Sequence, residues 1–315
     1  MRAALLPSTG AAISRLGIGG WQAGGRGPWG GGDRSDDDLA IAAIRKAVEG
    51  GVTWVETAAS YGLGHSEELI ARALQPWHVG EEVLVFTKCG HPWDPPDAIR
   101  TDLSPASIRR ECEGSLRRLG VDRIDLLHFH HVDSATPIEA SWSTMAELVE
   151  EGKVRWAGVS NFPVALLDRC QSIRQVDSVQ LELNLLRPAA TKDIVPWCRE
   201  HRAGVISYSP MASGLLSGTH DRDAIAAMSS ESRRGLTPET IVDLVDDVRQ
   251  VAERLETTVA AVAVAWILQI EGVTAAICGA RTPELVEAWL PAADLVLDLE
   301  AVAAIEAGLG RSSGA

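Results

Sequence analysis

Four side chains of different chemistry stand out in the sequence: Glu56, Tyr61, Lys88 and His130. They are a carboxylate, a phenol, an ammonium and an imidazole, a set suited to moving a proton to or from a substrate. Tyrosine and lysine are scarce here, with two Tyr and four Lys among 315 residues. Because an ammonium favours an ionised phenol beside it, we expect Lys88 to lower the pKa of Tyr61, with Glu56 orienting the lysine.

A repeating pattern indicates how these distant residues meet. Short apolar runs alternate eight times with amphipathic stretches of helix length, which predicts an α/β fold of the (β/α)8 TIM barrel type. The predicted strands are 16–20, 52–56, 82–88, 125–130, 154–160, 178–183, 204–209 and 274–278. The predicted helices are 35–49, 66–74, 104–119, 137–150, 164–172, 193–201, 238–255, 259–269 and 283–290, with an irregular stretch before 238.

A doubly wound open sheet is the alternative fold. Gly17, Gly19 and Gly20 are too closely spaced for the GxGxxG pattern of such sheets, which favours the barrel. Residues 2–14 are predicted to form a hairpin that closes the barrel bottom. No linker divides the chain, so residues 1–315 are predicted to form a single domain.

In such a barrel, functional residues gather where the strands end. Glu56, Lys88 and His130 end predicted strands, and Tyr61 lies in the loop after Glu56. Further polar residues at predicted strand ends are Ser160, Asn161, Gln180 and Tyr208. We expect these side chains to share one mouth of the barrel.

The composition excludes several classes of function. The net charge of −14 lacks the basic footprint of a nucleic-acid-binding protein and disfavours an anionic membrane surface. The longest apolar stretch, 259–270, is too short to span a bilayer. Five dispersed cysteines and the absence of a signal-peptide pattern favour a cytoplasmic location. The oligomeric state cannot be read from the pattern.

Three histidines near the fourth predicted strand, His128, His130 and His131, raise the question of a metal site. Neighbouring residues of a strand point to opposite faces, so the three rings are not expected to converge. We therefore predict no metal site, and we expect His128 to be a buried, hydrogen-bonded residue of the barrel interior.

Seven segments carry motifs in order along the chain. Residues 51–70 read GVTWVETAASYGLGHSEELI, and the others are 86–88 (FTK), 124–130 (IDLLHFH), 158–162 (GVSNF), 180–186 (QLELNLL), 208–216 (YSPMASGLL) and 279–284 (GARTPE). Together they resemble the aldo-keto reductase family, in which an Asp-Thr-Ala…Tyr-Gly element is commonly followed by His-Ser-Glu. The resemblance covers about residues 16 to 290.

The resemblance implies an enzyme that interconverts a small-molecule carbonyl (aldehyde, ketone or sugar) and an alcohol by hydride transfer with NADP(H), or with NAD as the alternative cofactor. It implies that Tyr61 protonates the carbonyl oxygen as general acid, that Lys88 tunes the phenol, and that His130 hydrogen-bonds the carbonyl. The implied cofactor site comprises Gly20, Trp21, Ser160, Asn161, Gln180, Tyr208, Ser209, Met211, Ser213, Gly214, Leu215, Gly279, Arg281 and Leu285.

Within that implied site, Ser160, Asn161 and Gln180 hold the nicotinamide carboxamide, and Tyr208 stacks on the ring. Residues 209–216 cradle the pyrophosphate, and Arg281 meets the 2′-phosphate. Near the adenine end, family members often carry an Arg or Gln followed by Glu-Asn. Here those positions read Leu285, Ala288 and Trp289, which leaves NAD open.

The other departure from the family is Glu56, where the family has Asp. Its carboxylate lies one methylene further out. It pairs with Lys88 if the strand or the lysine rotamer adjusts, and otherwise it approaches Tyr61 and raises the pKa of the phenol. Two alternative functions follow from this change: a cofactor-binding barrel with low turnover, and a barrel with non-redox proton-transfer chemistry.

The sequence does not name the substrate, because the loops that select it carry no signature. Those loops are 24–33, 90–103 and 217–237. Trp21, Trp29 and Trp93 lie in loops on the expected active face, where they either wall a substrate or pack the loops together.

Overall fold

Eight parallel strands close into a barrel with helices around it. The computed structural model describes residues 1–25, 36–94, 98–233 and 235–312. The barrel strands are β1 (Leu16–Gly19), β2 (Trp54–Glu56), β3 (Leu84–Cys89), β4 (Ile124–Phe129), β5 (Val154–Ser160), β6 (Ser178–Glu182), β7 (Gly204–Tyr208) and β8 (Val273–Gly279). Each strand pairs with the next, and β8 closes on β1. The predicted (β/α)8 barrel is confirmed.

The described α-helices are α1 (Asp37–Glu49), α2 (His65–Ala73), α3 (Pro105–Leu119), α4 (Ile138–Glu150), α5 (Val164–Gln171), α6 (Ile194–Glu200), α7 (Arg222–Ala227), α8 (Pro238–Arg254), α9 (Val259–Gln269), α10 (Pro283–Trp289) and α11 (Leu299–Ser312). Sequence reasoning missed α7 and α11. The first is short and begins at a cap, where Asp221 accepts from the backbone N–H of Ala224. The second buries Ala301 and Ile305 and packs against α8. The predicted first residue of α1, Ser35, lies outside the described residues.

The predicted N-terminal hairpin is present. Strands Ala3–Leu5 and Ala12–Ser14 pair antiparallel. Leu6 and Ile13 are fully buried in one apolar cluster with side chains of the barrel interior. The hairpin therefore covers the end of the barrel opposite the strand termini that carry Glu56 and Lys88. None of the described helices has the length and apolar composition needed to cross a membrane.

An aromatic layer fills the barrel beneath those termini. Trp54 and Phe86 stack with ring centroids 4.9 Å apart, and the Trp54 indole N–H donates to the carbonyl oxygen of Ser14. A Cβ at position 17 would lie 2.3 Å from the indole, so the ring fits only because Gly17 has no side chain. Side chains two residues apart on a strand share a face, which places Glu56 above Trp54 and Lys88 above Phe86.

Candidate active site

Lys88 lies at the centre of the cluster at the barrel mouth. Its ammonium forms an ion pair with the carboxylate of Glu56. It also donates to the hydroxyl of Tyr61 at 3.1 Å and to the carbonyl oxygen of Thr57 at 3.0 Å. An ammonium has three donors, and here each has an acceptor. All three side chains, those of Lys88, Glu56 and Tyr61, are buried, so their contacts act in a medium that screens charge weakly.

The loop after β2 places the phenol over this lysine. The backbone N–H groups of Thr57 and Ala59 donate to the carbonyl oxygens of Phe86 and Lys88, which keeps the loop bonded to β3. A 3-10 turn then begins at Tyr61. The next residue, Gly62, has φ of 58°, and a Cβ there would collide with the carbonyl oxygen of Gly24. Glycine at this position allows the loop to return across the strand end.

The electrostatics of Tyr61 differ from the sequence expectation. Burial raises the pKa of Tyr61 well above its ordinary value, and the negative charge of Glu56 raises that pKa further. The expected lowering by Lys88 does not determine the net direction, because burial disfavours a phenolate. Burial also lowers the pKa of Lys88, while Glu56 opposes that shift by favouring the ammonium form. Tyr61 is therefore a neutral phenol near neutral pH, able to donate a proton.

His130 directly follows β4. Its backbone N–H donates to the carbonyl oxygen of Cys89 on β3, which fixes the start of the loop. Its ring meets that of Tyr61 edge-on, with centroids 5.7 Å apart. Burial, and next the charge of Lys88, holds the pKa of His130 well below its ordinary value. The imidazole is therefore neutral and can offer one N–H to a substrate oxygen.

The polar residues at later strand ends join this cluster. The side-chain amide of Gln180 donates to Glu56 at 3.3 Å. Asn161 donates to the carbonyl oxygen of His130 and to the Ser160 hydroxyl, and it accepts from the Tyr208 hydroxyl at 2.9 Å. Asn161 has φ of 62°, an uncommon conformation for a residue other than glycine. Such residues cluster at functional sites, where surrounding contacts hold them.

The segment after β7 has the same kind of backbone. Ser209, Ser213 and Gly214 have positive φ, and Asn184 donates to the carbonyl oxygen of Ser209. Ala212 also has positive φ, and the backbone N–H groups of Ala212, Gly214 and Leu215 donate to carbonyl oxygens within the segment. The side chain of Leu215 is buried in the core.

The remaining predicted cofactor residues lie around β1 and β8. The N–H of Gly20 donates to the carbonyl oxygen of Glu56, and Trp21 is largely exposed. Gly279 ends β8 against the side chain of Gln22, and Arg281 and Leu285 are exposed beyond it. The half-buried Met211 packs against the core. Trp93 lies under the Arg118 guanidinium, whereas Trp29 and most of loop 24–33 lie outside the described residues.

Two of the three histidines, His130 and His131, do not point to opposite faces as strand alternation predicts. The rings of His130 and His131 stack with centroids 4.9 Å apart, because the chain has already left β4 at Phe129. A residue that sequence reasoning missed, His91, joins them. His91 could have been recognised as a candidate site residue from the sequence, because it follows Lys88, the last residue of a predicted strand, by three positions. His128 is buried as predicted, but only its Nε2 has a partner, the Ser178 hydroxyl.

Comparison with known proteins assigns nearly the whole chain to one protein family. The sequence profile of the Aldo/keto reductase family matches residues 15–309. The chain belongs to the aldo/keto reductase family. Its members are oxidoreductases that act on small-molecule carbonyl compounds or alcohols with a nicotinamide cofactor. The resemblance read from the seven motifs is thereby confirmed.

Individual relatives show how this family resemblance extends over the fold. The NADH-specific methylglyoxal reductase of Escherichia coli is 31% identical over 296 residues, which cover 89% of this chain and 90% of that protein. A glycerol dehydrogenase from Gluconobacter oxydans has a TM-score of 0.88 at 33% identity, with 98% and 95% of the two chains covered. An aldo/keto reductase from Klebsiella pneumoniae, solved with NADP and acetate, has a TM-score of 0.77 at 27% identity, with 98% and 95% covered.

The buried ion pair of this reductase yields a prediction about stability. Glu56→Gln is expected to lower the free energy of unfolding by about 3–5 kcal/mol, because the Lys88 ammonium loses its counter-charge inside the barrel. Chemical denaturation followed by tryptophan fluorescence measures the change. The double variant Glu56→Gln/Lys88→Met removes both charges and should recover most of the loss. A loss below about 1 kcal/mol in the single variant, as for an exposed pair, contradicts the pairing.

Proposed function

We propose that this protein catalyses hydride transfer between NADP(H) and a small-molecule carbonyl compound or alcohol, with Tyr61 as the general acid and base. The observation that carries the proposal is the placement of the Tyr61 hydroxyl 3.1 Å from the Lys88 ammonium, with the His130 ring edge-on to the phenol. A neutral phenol, a fixed cation and a neutral imidazole on one side of a substrate oxygen suit protonation of a carbonyl.

In the reducing direction, Tyr61 gives its proton to the carbonyl oxygen as negative charge develops there. Lys88 stabilises the resulting phenolate, because its ammonium already contacts that oxygen. The N–H of neutral His130 donates to the same substrate oxygen and polarises the carbonyl. In the oxidising direction the Tyr61 phenolate takes the proton of the alcohol.

The residues at the later strand ends fit a nicotinamide cofactor. Tyr208 presents a half-buried ring, and its hydroxyl is held by Asn161, which fixes the ring for stacking. Ser160 and Gln180 add a hydroxyl and a carboxamide that suit the nicotinamide amide, and the hydroxyl groups of Ser209 and Ser213 are of the type that suits its phosphates. When bound, the cofactor supplies the hydride for reduction or accepts it for oxidation.

The glutamate at position 56 is compatible with this assignment. Its carboxylate reaches Lys88 directly, so the extra methylene has not separated the pair. Its charge also contributes to the raised pKa of Tyr61. Pairing with Lys88 keeps an ammonium beside the Tyr61 oxygen. The raised pKa makes the phenol a weaker acid, and the Lys88 ammonium offsets this by stabilising the phenolate as the proton leaves.

The relatives suggest where to look for substrates. One is named for reduction of methylglyoxal and another for dehydrogenation of glycerol, which are a small ketoaldehyde and a small polyol. We propose that this chain acts on small polar carbonyl compounds or polyols of that kind. Loss of nicotinamide absorbance over a panel of such carbonyls, and its gain over the alcohols, tests the assignment. Tight cofactor binding without turnover on either panel contradicts it.

The two tyrosines of the chain provide a matched pair of variants. Tyr61→Phe is expected to reduce kcat by about 100-fold or more, because the proton donor is lost, with little change in the Kd for NADPH. Tyr208→Phe keeps the ring but loses the bond to Asn161, so it should act mainly on the Kd for NADPH. Steady-state kinetics and fluorescence titration of NADPH measure both. Retention of kcat in Tyr61→Phe would falsify the assigned acid.

Arg281 yields a prediction about cofactor choice. We propose that its exposed guanidinium binds the 2′-phosphate of NADP(H). Arg281→Ala should then raise the Kd for NADPH by about 10-fold, which corresponds to about 1.4 kcal/mol, and leave the Kd for NADH unchanged. The control is Arg169→Ala, which removes another exposed arginine, one paired with Glu139 on α4. Equal weakening of NADPH and NADH, or none, would show that Arg281 does not read the phosphate.

A further inference from the structure

Three histidines converge beside the proposed catalytic centre. His91 follows the end of β3, and His130 and His131 follow the end of β4. These strands pair with Cys89 opposite Phe129, so the segments beyond them leave the barrel side by side. The ligand nitrogens of the three rings all lie within 4.8 Å of one another.

One pair of ring nitrogens is close to the spacing of a three-imidazole metal site. His91 Nε2 lies 2.8 Å from His131 Nδ1. Two imidazole nitrogens bound to a tetrahedral Zn²⁺ at about 2.0–2.1 Å are about 3.3 Å apart. This pair therefore needs to open by about half an ångström, and the separations of up to 4.8 Å within the cluster need to close by up to about 1.5 Å, through rotation of the rings.

The far side of His91 is arranged as the second shell of a metal ligand. Its Nδ1 lies 3.3 Å from the carbonyl oxygen of Arg100, which can only accept, so Nδ1 carries the proton. Nε2 then accepts a hydrogen bond from the Nδ1–H of His131, and a metal ion would bind in place of that proton. Metal-bound histidines commonly have their other nitrogen held in this way. Glu111 accepts from the backbone N–H groups of Gly90 and His91 and holds this segment.

We infer that His91, His130 and His131 form a binding site for Zn²⁺ and similar divalent transition metals at the barrel mouth. Three neutral nitrogens without a carboxylate favour such ions over Mg²⁺ or Ca²⁺. Three protein ligands leave a fourth position open to water or substrate. The nearby Lys88 is paired with Glu56, which reduces its repulsion of a cation.

The site has a consequence for turnover, which rests on the proposed function. His130 is the residue assigned to the substrate oxygen. A metal ion on its ring occupies the nitrogen that would otherwise serve there and places a cation beside Tyr61. Zn²⁺ should therefore inhibit carbonyl reduction reversibly, and a chelator should restore the rate.

Binding is tested on the full-length protein after chelator treatment, with no substrate or cofactor. Calorimetric titration with Zn²⁺ should give one site per chain, and Mg²⁺ should give none. Co²⁺ should produce visible d–d bands without a thiolate charge-transfer band, because the ligands are all imidazoles. Absence of stoichiometric Zn²⁺ binding, or a thiolate band with Co²⁺, overturns the proposal.

The variants His91→Ala and His131→Ala should each weaken Zn²⁺ by at least about 10-fold. The matched control, His78→Ala, removes an exposed histidine on the segment after α2 and should leave the affinity unchanged. Circular dichroism checks that each variant folds. The Co²⁺ spectrum of the unaltered protein tests the site without relying on any variant. Equal affinity in all four proteins overturns the site. The binding assays give this result whether or not the protein reduces carbonyls, so failure of the proposed function is recognised separately.

Discussion

The arrangement at the barrel mouth depends on one buried ammonium, that of Lys88. A charge removed from water is costly unless its donors are satisfied and an opposite charge lies close. Glu56, the carbonyl oxygen of Thr57 and the phenol oxygen of Tyr61 meet both conditions. Because the phenol is one of the three acceptors, the requirement to stabilise this charge also fixes the position of the proposed proton donor. The contacts that stabilise the buried ammonium are thus the same ones that hold Tyr61.

The barrel supplies the rigidity that such a contact requires. Glu56 and Lys88 lie on adjacent strands, each directly above an aromatic ring of the interior, Trp54 or Phe86. The loop that carries Tyr61 is held in place by its backbone hydrogen bonds to β3. Gln180 and Asn161, on the proposed cofactor side of the mouth, donate hydrogen bonds to Glu56 and to the carbonyl oxygen of His130.

Periodicity predicted the barrel because parallel strands that are covered on both sides are nearly continuous apolar runs in the sequence. The ends of these strands meet at one mouth of the barrel, which places Lys88 and Gln180 at that mouth. Periodicity in the sequence does not determine several other features of the structure. Helix α7 is too short to show a period. The stacking of His130 on His131 depends on where β4 ends, which differs by one residue from the prediction. Burial and the negative charge of Glu56 together raise the pKa of Tyr61, and the extent of burial is not determined by a list of neighbours.

The central claim is that Glu56 is a functional partner of Lys88 and not a defect relative to the aspartate that the family resemblance implies at this position. The most direct measurement is kcat of Glu56→Asp, with the Kd for NADPH measured alongside. The carboxylate would retreat by about one methylene, and a displacement of about 1 Å at a reacting group can cost on the order of 100-fold in rate. We expect kcat to be unchanged or lower, with the Kd for NADPH unaltered. A higher kcat in Glu56→Asp would contradict this account.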